Sequence, residues 1–169
     1  MPAHFLARLP LLEWLDVRGG SGVSADFVRG CARLRFLVIN QVRGLSDISA
    51  VADVRTLELI SLYGLPQVRT IPSFAALLNL RRAEVGSMKG LAGLTGLLDA
   101  PALAQLVLGK RVGLAPDDPS RIATHPSIKY FYWFAEDVPE SLWVPVVERI
   151  GKPRGEIMGA REWAAARMQ

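Results

Sequence analysis

Cysteine occurs once in the 169 residues, at Cys31, and histidine twice, at His4 and His125. A single thiol excludes an internal disulfide framework and a cysteine-based zinc site, and it fits a reducing compartment. The histidines stand near opposite ends of the chain, and neither has the company that a catalytic triad or a zinc site requires. Long apolar runs are missing too. No stretch approaches the roughly 18 residues of a membrane-crossing helix. The opening MPAHFLARLPLLEWLDV has no basic leader, and Glu13 and Asp16 interrupt it, so no signal peptide and a cytoplasmic address are expected. Excess charge is small: +4 at neutral pH, with a pI near 9.6. That balance suits an acidic protein partner or an anionic surface without implying nucleic acid.

Catalytic patterns are equally scarce. Gly109-Lys110 is not a phosphate-binding loop, because Ala104 stands where the first glycine belongs and Arg111 where Ser or Thr belongs. Gly19-Gly20-Ser21-Gly22-Val23 misses the nucleophile-elbow pattern at its last position. Asp117-Asp118 lies in a Pro-rich stretch without spaced ligands, which reads as a turn and not a calcium loop. Cys31 precedes a strand and reads as buried packing. No catalysis, cofactor or metal is expected.

What the chain does have is repetition. Half of it is hydrophobic, enough for one well-cored domain or one continuous stack of repeats. Six hexamers share the pattern apolar-x-x-apolar-x-apolar: LEWLDV from Leu12, LRFLVI from Leu34, VRTLEL from Val54, LRRAEV from Leu80, LAQLVL from Leu103 and IKYFYW from Ile128. Their offsets are 22, 20, 26, 23 and 25 residues. Alternation at the fourth and sixth positions makes a short strand with one buried face. The expected buried pairs are Leu15/Val17, Leu37/Ile39, Leu57/Leu59, Ala83/Val85, Leu106/Leu108 and Phe131/Trp133. A lone strand cannot stand, so successive repeats stack into a parallel sheet. Between strands the apolar residues fall three apart, as in Val42, Leu45, Ile48, Val51 and Val54, which suits a 3-10 or irregular return. Gly44, Gly64, Pro66, Pro72, Gly90, Gly93, Gly96 and Pro101 weaken any long helix there.

These residues resemble the bacterial leucine-rich-repeat superfamily, in the internalin-like style, with GLSDISAVADVRTLEL (44–59) closest to that consensus. The resemblance covers about residues 5–134 and implies an α/β solenoid. This would be a horseshoe fragment of about six repeats whose concave parallel sheet binds another macromolecule. The family usually has Asn or Cys three residues past the strand, where Gly20, Val42, Leu62, Met88 and Arg111 stand here, so apolar packing must hold that turn. Residues 1–137 form the expected repeat domain, with Phe5, Leu6 and Leu9 as a short front cap. Residues 138–169 form the expected capping helix (138–150) and a tail around Trp163, either a short helix or mobile.

The outward positions define the expected binding face: Trp14/Asp16/Arg18, Phe36/Val38/Asn40, Thr56/Glu58/Ile60, Arg82/Glu84/Gly86, Gln105/Val107/Gly109 and Tyr130/Tyr132/Phe134. Solvent-facing Trp14, Phe36 and Val38 make an apolar patch of the kind that marks an interaction site. Tyr130, Tyr132 and Phe134 either bind or pack under the cap. Glu58 and Glu84 would face one another across strands, where paired carboxylates can act as acid and base, but Arg82 beside them makes a surface charge pair the simpler reading. Arg35, Arg55 and Arg81 would align along one rim, as a solvated edge or as an anion-binding row. The expectation is a non-catalytic module gripping an unidentified protein on its sheet: a cytosolic adaptor, inhibitor or toxin-immunity protein. The alternatives are nucleic-acid or anionic-surface binding through the basic rim, and a self-assembling protein that dimerises through the front end.

Overall fold

A computed structural model describes residues 6–168, so His4 and Phe5 lie outside the described residues. Six strands form one sheet: β1 (Trp14–Arg18), β2 (Phe36–Asn40), β3 (Leu59–Tyr63), β4 (Arg82–Met88), β5 (Gln105–Val112) and β6 (Tyr130–Phe134). They lie side by side in chain order and every neighbouring pair is parallel. Parallel neighbours need a return connection between them. Here the returns are short turns and 3-10 segments such as Ser49–Asp53 and Leu97–Asp99, with helix only in the last one, α1 (Asp118–Thr124).

One core runs the length of the molecule between the sheet and these returns. Its two strand rows are Leu15–Leu37–Ile60–Ala83–Leu106–Phe131 and Val17–Ile39–Leu62–Val85–Leu108–Trp133. A third row, Leu34, Leu57, Leu80, Leu103 and Ile128, is buried just before the strands. The apolar residues spaced by three fill the other side: Val42, Leu45, Ile48, Val51, Leu65, Val68, Phe74, Leu77, Leu91 and Leu94 are all buried. Each fully buried Leu or Ile contributes roughly 1.5–3 kcal/mol.

The third repeat departs from the sequence reading. Its core pair is Ile60/Leu62 and not Leu57/Leu59. Leu57 takes the role of Leu34 and Leu80, so the hexamer is LELISL from Leu57 and not VRTLEL from Val54. The strand therefore begins three residues later than expected. Repeats two to five then start evenly at Leu34, Leu57, Leu80 and Leu103. The residue at the turn position after β3 becomes Leu65, fully buried, in place of Leu62.

A left-handed backbone kink follows the strand core at the same place in five repeats: Gly19 (φ 69°), Gln41 (54°), Gly64 (64°), Ser87 (51°) and Lys110 (53°). At the first three of these the kinked residue's N–H donates to the next repeat, to Asn40 O, Tyr63 O and Gly86 O at 2.8–2.9 Å. Main-chain bonding and apolar packing thus hold the turn without an asparagine.

The ends are closed by different means. At the front a 3-10 turn, Leu6–Arg8, buries Leu6 against the core, while β1 is the open edge of the sheet. At the back, α2 (Glu140–Ile150) buries Ile150 and rests Trp143, Val146 and Val147 on the core. Leu142 points to solvent. Asp118 is not a simple turn residue: it is fully buried in α1, and its Oδ2 accepts from the N–H groups of Leu94 (2.8 Å) and Ala115 (2.7 Å), tying two returns together. His125 is also structural. Its Nδ1 accepts from the N–H groups of Ser127 and Ile128, and its Nε2 contacts Leu98 O at 3.2 Å. That geometry selects the neutral ring with the proton on Nε2, and burial lowers its pKa below the ordinary value. Cys31 is buried, which raises its pKa and keeps the thiol protonated. No helix among the described residues is long and apolar enough to cross a membrane.

Candidate functional site

The sheet face turned away from the core carries three rows. They are Trp14–Phe36–Leu59–Arg82–Gln105–Tyr130, then Asp16–Val38–Ser61–Glu84–Val107–Tyr132, then Arg18–Asn40–Tyr63–Gly86–Gly109–Phe134. Most expected face residues are there. Thr56 and Glu58 are not. With β3 starting at Leu59, the face instead gains Leu59, Ser61 and Tyr63, while Ile60 turns into the core. Thr56 precedes the strand, where its hydroxyl donates to Leu34 O at 2.6 Å and stitches two repeats together.

The same shift rewrites the rim. Glu58, not Arg55, is level with Arg35 and Arg81. Arg35 lies between two carboxylates, with Nη1 2.9 Å from Glu13 and Nε 2.7 Å from Glu58. Its pKa is raised by the hydrogen bond to Glu58 and then by that to Glu13. The basic row Arg35/Arg55/Arg81 is therefore replaced by an alternating one. Glu58 and Glu84 do not face each other, since Glu84 lies on the sheet face and pairs with Arg82.

The face is not open to solvent as the sequence suggested. After α2 the chain turns at Gly151 (φ 62°) and runs back across the sheet, ending in a short helix, α3 (Ala160–Ala165). Pro153 O accepts from the N–H of Phe131 at 3.0 Å, beginning the path at β6. Gly155 lies flat on the Tyr130 ring, where any side chain would collide, since an added Cβ would come 2.7 Å from the ring. The Arg154 guanidinium stacks 4.0 Å from the Tyr132 ring centre. Gln105 then donates to Glu156 O (3.3 Å) and Arg82 to Met158 O (2.5 Å). At the far end Trp163 meets Phe36 edge-on, with ring centres 6.3 Å apart, and Trp14 flanks Phe36 at 5.9 Å. Phe36, Val38, Leu59, Trp163 and Ala164 form a second apolar cluster, separate from the main core.

One expectation is corrected here. Phe36 and Val38 are 0% and 5% exposed, so with Trp14 they form a docking seat for the tail and not a solvent patch. Of the end aromatics, whose role the sequence left open, Tyr130 lies against Gly155 and Tyr132 against Arg154, while Tyr130 and Phe134 stay exposed. Arg82 carries the polar half of the seat. It is 2% exposed and donates to Glu84 Oε1 through Nε (2.9 Å) and Nη2 (2.7 Å), and to Gln105 Oε1 (2.6 Å), besides Met158 O. Trp163 was visible in the sequence, but not what it would touch.

The tail fills the face only in part. A cleft of about 240 Å³ opens between Ile157–Gly159 and the floor at Ser61, Tyr63, Glu84, Gly86 and Gly109. Another lies beside α3, between Trp14, Asp16, Arg161 and Met168. Among the described residues no group of His, Cys, Asp and Glu side chains could hold a metal ion. The face offers aromatic surface, one guanidinium aimed at a main-chain carbonyl, and paired charges. These are groups suited to holding a peptide. No family model, curated protein or solved structure matches this chain.

Proposed function

We propose that the chain is a leucine-rich-repeat module that binds a protein partner on the outer face of its sheet, without catalysis. The repeat assignment is supported by the even spacing of the strand starts, the parallel order, the shared left-handed turn and the 3-10 returns. One observation carries the binding role: the face holds a peptide segment, the chain's own tail, through an aromatic cluster and side-chain bonds to main-chain carbonyls. Aromatic residues and arginine supply most of the energy at protein interfaces. A cytoplasmic adaptor, inhibitor or toxin-immunity protein is the role that fits a small module of this kind. Binding of nucleic acid through a basic rim is disfavoured, because Arg35 is neutralised by Glu13 and Glu58.

The test is site-specific crosslinking in cell lysate. A photo-crosslinker at Asp16 or Tyr130, both exposed on the face, is compared with one at Gln67 or Leu78, exposed on the returns. The same protein captured from the face positions alone is the expected result. Capture from the returns alone, or from no position, contradicts the reading.

A further inference from the structure

The tail shows what chemistry the face accepts, and its attachment is built to be given up. Of residues 151–168 only Trp163 and Ala164 are buried, and Ile157 and Met168 stay exposed. The clefts along the tail mark incomplete packing, unlike the main core. The side chains whose hydrogen bonds hold it, Arg82, Gln105 and Arg35, have second partners. Arg82 without Met158 keeps Glu84 and Gln105, and Arg35, which donates to Arg167 O at 3.1 Å, keeps Glu13 and Glu58. Release therefore strands no buried charge, the usual obstacle to opening such a contact. It does uncover a strip of Trp14, Phe36, Val38 and Leu59 across three adjacent strands, which calls for another apolar occupant. Gly151, left-handed, supplies a hinge point between α2 and the tail, and Gly155, also left-handed, lies within the tail.

We propose that residues 151–168 are a displaceable internal ligand, and that the segment which replaces them belongs to a partner protein and copies their form. That form is an extended stretch giving main-chain carbonyls to Gln105 and Arg82, followed by a short helix whose aromatic residue seats against Phe36 and Trp14. In the tail the aromatic residue follows the carbonyl bound by Arg82 by five positions, Met158 to Trp163. Carbonyl recognition tolerates many sequences, so the aromatic residue selects the partner. The inference rests on the protein-binding reading above and names the kind of segment that reading requires.

A fluorescein-labelled peptide of residues 152–168 is the probe, titrated into the full chain by fluorescence anisotropy. In the wild type the attached tail competes at a high effective concentration. The Trp163→Ala chain, with its own tail weakened, is expected to bind the peptide at least tenfold more tightly than wild type. Adding Arg82→Gln should remove most of that gain, and a peptide carrying Trp163→Ala should not bind. Circular dichroism and the thermal midpoint of each variant check that the sheet is intact. A folded Trp163→Ala chain that binds no peptide overturns the proposal. So does wild type that forms concentration-dependent dimers in sedimentation while the Trp163→Ala chain does not, because the occupant is then a second copy. A partner crosslinked at Asp16 despite absent peptide binding sinks this inference and spares the module reading, whereas peptide binding without any crosslinked partner sinks both.

Discussion

Arg82 offers the sharpest test of how the face is held together. It is the largest fully buried side chain, and its guanidinium reaches Glu84, Gln105 and the carbonyl of Met158. Arg82→Met keeps the length and apolar stem but leaves Glu84 without its cation, Gln105 without its donor and Met158 O unbonded. Breaking a buried ion pair from one side costs about 3–5 kcal/mol. Because the Glu84 side chain is still 20% exposed, water recovers part of that, and about 2–3 kcal/mol is expected. Glu84→Gln alone should also cost about 2–3 kcal/mol, because it leaves the guanidinium, only 2% exposed, without its anion, even though the amide oxygen still accepts from Arg82. In the double variant no uncompensated carboxylate remains, so the summed single losses should exceed the double loss by about 1–2 kcal/mol. Urea unfolding of the four proteins, followed by circular dichroism, supplies the cycle. Strict additivity would refute the claim that Arg82 and Glu84 act as one buried unit.

Three further outcomes follow from the fold. His125 is held neutral by two N–H donors at Nδ1, and its folded pKa lies below the unfolded value. The unfolded chain therefore binds the extra proton first, and stability should fall as pH drops below roughly 6.5 toward the folded pKa. A His125→Gln variant, followed by thermal midpoint between pH 7 and 5, should lose that dependence, and an unchanged slope would contradict the assignment. Gly64→Ala forces a side chain into a left-handed turn and should cost about 1–2 kcal/mol, whereas Lys110→Gly at the equivalent turn should be neutral or slightly stabilising in the same urea assay. On the rim, Glu58→Lys should cost about 0.5–1 kcal/mol by separating from Arg35, while Arg55→Glu should change stability little. Equal effects would restore the rim alignment that the sequence suggested.

The strands and the core were legible because a two-residue period inside a repeat of 20-odd residues is a strong pattern. The third repeat misled because the return before it is apolar at every third position. Val54-Leu57-Leu59 and Leu57-Ile60-Leu62 both satisfy the same template. Three-residue spacing makes a slip of three nearly invisible. Even spacing breaks the tie, because starts at Leu34, Leu57, Leu80 and Leu103 are each 23 residues apart, whereas the turn residue does not, since Ser87 fills in one repeat the left-handed position that Gly64 fills in another. That single slip moved Thr56 and Glu58 onto the face and Arg55 onto the rim. The covered face was hidden for another reason. The contact of Trp163 with Phe36 joins residues 127 positions apart, and no local pattern encodes such a pairing. An apolar strip on the sheet and an isolated tryptophan in the tail were both readable as unsatisfied surfaces. Only the structure showed that each satisfies the other. Asp118 was similarly opaque, since its two N–H partners come from two different returns.

We propose that the outer sheet face receives a protein segment in place of the tail. Hydrogen exchange, measured by mass spectrometry on the full chain with and without the partner captured at Asp16, tests it most directly. The predicted result is slower exchange in residues 14–18, 36–40 and 82–86 together with faster exchange in residues 156–168. Slower exchange confined to the returns between strands, with the tail unchanged, would contradict it.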